Sequence, residues 1–174
     1  MPTTAGRAAD AELATDLLMG AVAGAAAIWA MNRLDWFLVG QEPERVRRQT
    51  RDARPGGLDP AHVVADRAAR LMGVRLSPAQ PHPAGIAIYY GFGVLMGAAY
   101  AALRRRVGGV GAGRGVLFGL AMFLLKDEGL NALLGAGGPP GRYPWQAHAR
   151  GAAAHATFGL VADTVLRLLP RPRG

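Results

Sequence analysis

Cysteine is absent from this 174-residue chain, which excludes disulfides, thiolate nucleophiles and cysteine zinc sites. Ser77 is the only serine and lies in a proline-rich stretch, so serine-nucleophile catalysis has no credible candidate. Acidic side chains are few, 12 against 20 basic ones, and lysine is nearly missing: Lys126 is the only one, every other basic residue being arginine. Charge as a whole is scarce. Charged residues make up 18% of the chain and apolar ones 51%, with the charges segregated from long apolar runs. That combination describes a membrane protein with basic loops. A soluble nucleic-acid binder with the same net charge of +8 would carry a recognition motif, and none accompanies the basic runs. The length is that of a single domain, residues 1–174.

What the chain does have is four apolar segments, at about 13–39, 84–103, 112–134 and 147–169. The second is free of charge over twenty residues, about 30 Å of helix, and is the clearest span. The first could imitate a signal peptide, with Arg7 ahead of the uncharged run 17–31. It continues past Arg33 and Asp35 into Trp36 and Phe37, however, which fits a retained helix better. The fourth carries His148, Arg150, His155, Asp163 and Arg167, so its neighbours must shield it from lipid. Gly20/Gly24, Gly93/Gly97 and Gly115/Gly119 are small-residue pairs four apart, one pair in each of the first three spans, which predicts close helix packing.

Between the first two spans, 40–83 form a polar loop. Residues 42–54 read as a helix with Glu44 and Arg48 paired at i,i+4. That helix is either simply solvated, or its Arg45, Arg47, Arg48 and Arg51 meet anionic lipid headgroups. Asp59-Pro60 is a helix start and Gly73 a stop. Between them Val64, Ala68 and Leu71 share a face and Asp66 pairs with Arg70, as in a short amphipathic helix lying on a membrane or capping a bundle. Gly108-Gly-Val-Gly-Ala-Gly113 looks like a phosphate loop but lacks the following Lys-Ser/Thr, so it reads as a turn. Tyr143 and Trp145 stand where interface anchors belong. Basic residues are almost evenly divided between the two ends, with Arg104–Arg106, Arg114 and the 167–173 tail at one and the 42–54 arginines at the other. Charge alone therefore leaves the orientation open.

The polar interruption Lys126-Asp127-Glu128 in the third span is the anomaly. Three unpaired charges at bilayer depth would cost about 8–10 kcal/mol on insertion scales. They need partners, unless the span instead runs over 107–125 and leaves them at the interface. Counting ~1.5 Å per residue from the loop ends brings Asn32, Arg33 and Asp35, Tyr89 and Tyr90, Asp127, Glu128 and Asn131, and His148, Arg150 and His155 to one polar layer, with Asp163 toward its lower edge. Asp127 and Asn131 share a helix face, as do His148 and His155, while Arg150 points the other way. The first and third spans also align at one constant offset, as do the second and fourth (His82-x2-Gly85 against His148-x2-Gly151). Two duplicated hairpins about an axis normal to the membrane would explain both alignments.

Two chemical readings stand. An acid–histidine cluster of Asp127, Glu128 and His155 can bind or sense protons or a small ion. The same groups can equally form a structural network that fixes helix register. Histidines seven apart without a His-Glu-x-x-His pattern do not make a metal site, and no cofactor is implied. An intramembrane enzyme is a third reading.

Pro144-Trp145, His155 ten residues after the Trp, Asp163 eight further on and then Arg167 form a pattern that resembles the YagU-like family of bacterial inner-membrane proteins. The resemblance covers roughly 115–167; in the 145–155 interval relatives carry acids where this chain has Gln146, His148 and Arg150. It implies a multi-pass inner-membrane protein with a link to acid tolerance and no established activity, and it favours cytoplasmic termini. The sequence thus predicts an all-α integral membrane protein, a bundle of four transmembrane helices with a short amphipathic surface helix in its first loop. Its role is non-enzymatic and its partners are the bilayer, with anionic lipid at the loop arginines, and a second copy of itself. The alternative is a structural subunit that docks a partner protein or anionic lipid.

Overall fold

A computed structural model describes residues 4–77, 79 and 81–170; Arg171 and Arg173, counted above in the basic tail, lie outside the described residues. The chain is all-α, and no strand occurs among those residues. Helix α1 (Thr4–Gln41) runs unbroken through an alanine-rich stretch and stops just before Pro43, which cannot donate a backbone hydrogen bond. Helix α2 (Glu44–Ala53) follows at once, with Glu44 in its first turn and Arg51 in its last, the favourable arrangement for the helix dipole. Helix α3 (Pro60–Leu71) has the expected start, Asp59 accepting from the His62 backbone N–H at 3.0 Å with Pro60 behind it. Its stop is also as expected, at Gly73 with φ of +74°.

Helix α4 (Pro83–Arg104) is capped by a residue the sequence reading did not single out for this role: His82 accepts from the Gly85 N–H through Nδ1. Residues 105–115 are turns, with Arg114 exposed at φ +55° between glycines, so the third helix does not begin near 107. It starts as α5 (Val116–Met122), widens into a π-helical stretch (Phe123–Leu130) and ends as α6 (Asn131–Leu133). Helix α7 (Trp145–Leu168) completes the chain.

Helix α1 packs against both α4 and α7, α5 packs on α7, and α3 docks on α4. Glycine makes the contacts close. A Cβ on Gly24 would fall on the backbone of Gly93 and Gly97, and one on Gly119 on the carbonyl oxygen of His155. The packing follows the sequence repeat only in part: the matching pairs of the two hairpins, α1 with α4 and α5 with α7, both pack, but the contact between α1 and α7 has no counterpart of similar size between α4 and α5. The registers differ as well: Gly24 faces Gly93, whereas Gly119 faces His155, one turn before the residue aligned with Gly93. The shared Gly-x3-Gly spacing reflects one packing device used twice.

The side chains are distributed inside out. The core is made mostly of small or slender residues, Ala27, Ile28, Met31, Met122, Ala154 and Ala162, around Tyr100 and Phe158, with Ala23 also fully buried. The large apolar residues, among them Leu18, Trp29, Phe37, Leu95, Leu125 and Leu133, face outward. Two helical stretches, Ala9–Gln41 and Pro83–Arg104, are long and apolar enough to cross a membrane, each with a mean hydropathy of 1.6. Only 33% and 22% of their most apolar windows are buried, unlike the core helix of a water-soluble domain.

In α3 the buried face is His62, Val63, Ala65 and Ala69. The Val64/Leu71 face points outward instead, with Leu71 90% exposed, so of the two expected arrangements it does not cap the bundle through that face. The Asp66/Arg70 pair forms as expected, at 2.9 Å.

Candidate functional site

In a regular α-helix Lys126, Asp127 and Glu128 would point about 100° apart, so all three could not face one neighbour. Here they lie in the π-helical stretch. Its i→i+5 bonding, seen in the Asn131 N–H donating to the Lys126 carbonyl, places one extra residue in the turn and brings both acids toward α7. There His148 and His155, two turns apart, offer one ring to each acid. Glu128 Oε1 lies 2.7 Å from His148 Nδ1, and Asp127 Oδ2 lies 3.4 Å from His155 Nε2. Asp127 also accepts from Asn131 at 3.0 Å and pairs with Lys126. The Lys126 ammonium is 5.3 Å from the centre of the Phe92 ring on α4, a cation–π distance. The charges that looked unaffordable in isolation are therefore partnered.

His155 is the most constrained member. It is 1% exposed and packs against Phe123, with ring centroids 5.6 Å apart. Gly151 leaves the room for this: a Cβ there would meet the Phe123 ring at 2.6 Å. His155 Nδ1 is 2.9 Å from the Gly151 carbonyl oxygen, which can only accept, so Nδ1 carries the proton. In the neutral ring Nε2 is then a bare acceptor. It is buried, has no hydrogen-bond partner, and faces the carboxylate of Asp127. The charged groups around the ring are Asp127 and Lys126 from the third helix, with Asp35 of α1 close enough to act electrostatically; Tyr89 of α4 lies in the same field.

The remaining predicted residues divide into separate groups. Arg150, buried on the opposite face of α7, donates to Asp35 at 2.9 Å and pairs with Glu42, tying α7 to the end of α1. Tyr89 and Tyr90 pack edge to face at 5.7 Å. Asn32 is half-buried, and Arg33 turns outward, 5.1 Å from the Trp36 ring. Asp163 does not belong to this layer. It sits at the far end of the bundle, 1% exposed, accepting from the Tyr100 hydroxyl at 2.9 Å, Arg104 at 2.9 Å and Arg167 at 2.6 Å.

Sequence reasoning missed three polar features. Arg105 and Arg106 each reach Asp16 at 3.3 Å, so the arginine triplet is clamped by one acid from α1 and one from α7. The signal was present, since Asp16 and Asp163 are the acids that face the end of α4. His62 and His82 form a buried pair with ring centroids 4.5 Å apart, in which the His82 N–H donates to His62 Nε2 and Asp59 lies 2.7 Å from His62 Nδ1. Arg67 caps the third helix by donating to the carbonyls of Leu134 and Gly135, both at 2.6 Å. In α2 the Glu44/Arg48 pair does not form. Glu44 instead binds Arg47 and Arg51, both at 2.8 Å. Hydrogen bonds from Arg51 and then Arg47 pull its carboxyl down to about 2.

Comparison of the chain with protein-family models, with curated proteins and with solved structures found no match.

Proposed function

We propose that this is a four-span protein of the bacterial inner membrane, with both termini cytoplasmic, whose Asp127/His155 pair takes up a proton and so senses acidity. The observation that carries the reading is the bare Nε2 of His155, buried 3.4 Å from a carboxylate oxygen. One proton there converts an unsatisfied polar atom, which costs about 1–3 kcal/mol, into a charge-assisted hydrogen bond between α7 and the π-helical stretch. The inside-out distribution of side chains supports the bilayer placement, because lipid rather than water suits a Leu- and Trp-covered exterior around a glycine-alanine core. The resemblance of the Pro144-Trp145, His155, Asp163 and Arg167 pattern to YagU-like proteins points to the same membrane and to acid tolerance.

A second reading, a purely structural network, is favoured by the bonds Asp127 already makes to Lys126 and Asn131. Asp127→Asn and His155→Gln variants separate the two. Proton sensing predicts normal accumulation in the membrane with loss of growth at low pH and of any measured proton flux. Unchanged growth and flux at normal accumulation contradict it, and failure to accumulate favours the structural network.

A further inference from the structure

The four arginines in α2 have different fates. Arg47 and Arg51 are held by Glu44. Arg45 and Arg48 have no carboxylate partner among the described residues, and neither does Arg142, which arrives from the turn before α7. All three line one open groove of about 400 Å³ whose remaining walls are Gln49, Asp52 and Ala53. The groove is built. Gln49 donates to the Arg142 backbone carbonyl at 3.4 Å. The Ala53 carbonyl closes on Gly138, where no Cβ would fit. Together these fix α2 against the turn. Three guanidinium groups against the single carboxylate of Asp52 leave the groove net positive, and an anion seated among them offsets the repulsion between them. Arginine matches phosphate through its planar fork of donors, and Asp52 and Gln49 on the wall can accept from hydroxyl groups. The exposed ring of Trp145 begins α7 close by, at the level where such anchors sit in a bilayer interface.

We infer that the groove formed by Arg45, Arg48 and Arg142 binds the phosphate of an anionic phospholipid headgroup of the phosphatidylglycerol type, with Asp52 and Gln49 accepting from its glycerol hydroxyls. This narrows the lipid-facing arginines to two of the four expected from the loop sequence and adds one from a distant turn. The inference rests on the membrane placement proposed above. Failure of that placement shows itself separately, as full-length protein recovered in the soluble fraction.

The test is lipid binding by the full chain in neutral detergent, titrated with phosphatidylglycerol, with phosphatidylcholine and with inorganic phosphate. Each arginine near such a surface contributes about fivefold in affinity, so the R45Q/R48Q/R142Q variant should bind phosphatidylglycerol on the order of a hundredfold more weakly. R47Q/R51Q should change it no more than a fewfold. Phosphatidylcholine and free phosphate should bind at least tenfold more weakly than phosphatidylglycerol. Equal losses in the two variants would overturn the inference by showing a diffuse charge effect. Binding of inorganic phosphate as tight as that of the lipid would overturn the headgroup assignment.

Discussion

Replacing Asp163 with alanine is the most demanding check of the described packing, because one side chain there serves three others. The substitution leaves the Tyr100 hydroxyl, on a side chain that is 0% exposed, without its acceptor at a cost of about 1–3 kcal/mol. Arg104 is 21% exposed and lies at a helix end, so it recovers part of its hydration and loses about 1 kcal/mol. Arg167 is 60% exposed and loses between roughly 0 and 1 kcal/mol. The expected destabilisation is about 3 kcal/mol, at the lower edge of what removing one partner of a fully buried ion pair costs. Tyr100→Phe should cost about 1 kcal/mol, since Asp163 keeps both arginines. Arg167→Ala should cost less again. Reversible unfolding by titrating a denaturing detergent into a mild one, followed by helicity, gives the three values. If Asp163→Ala falls within about 1 kcal/mol of the parent, or Arg167→Ala is equally damaging, the acid is not the hub described here.

Gly24→Ala should cost about 2–3 kcal/mol, because its Cβ falls on the backbone of Gly93 and Gly97, whereas Gly91→Ala, with nothing within 4 Å, should change stability by less than about 1 kcal/mol in the same titration. His62→Ala removes the acceptor of the His82 N–H, so hydrogen exchange across α3 should quicken selectively; unchanged exchange there would refute the docking role. Glu44 titrates near 2 in the folded protein against an ordinary 4.5, so its contribution to α2 is complete above about pH 4.5 and is lost as pH falls through about 2. Carboxyl NMR of Glu44 should show that midpoint, moving back up toward the ordinary value in Arg51→Gln.

The helices were legible because their signals are local. Asp59-Pro60 and Gly73 delimit α3, and 84–103 could hardly be anything other than an apolar helix, whereas the break at Pro43 went unread inside the 42–54 helix. The partners of the third helix were legible only in part. Depth counting brought Asp127, Glu128, His148 and His155 to one level, but it did not pair Glu128 with His148, and nothing local in Phe123–Leu130 announced π bonding. Asp163 was placed toward the lower edge of that layer, although the eight residues separating it from His155, about 12 Å of helix, carry it to the other end of the bundle beside Tyr100 and Arg104. His62 and His82 escaped notice for a related reason: twenty residues and a proline loop separate two rings that tertiary packing puts in contact.

Nitrogen NMR of His155 in the full-length protein reconstituted in lipid tests the proton site most directly, since it reads the protonation of each ring nitrogen. A proton-sensing pair predicts the Nδ1–H tautomer at high pH, then protonation of Nε2 as the pH is lowered. That step should shift its midpoint in Asp127→Asn. A ring that keeps Nε2 bare across the whole range, or that titrates identically with and without the Asp127 carboxylate, would contradict it.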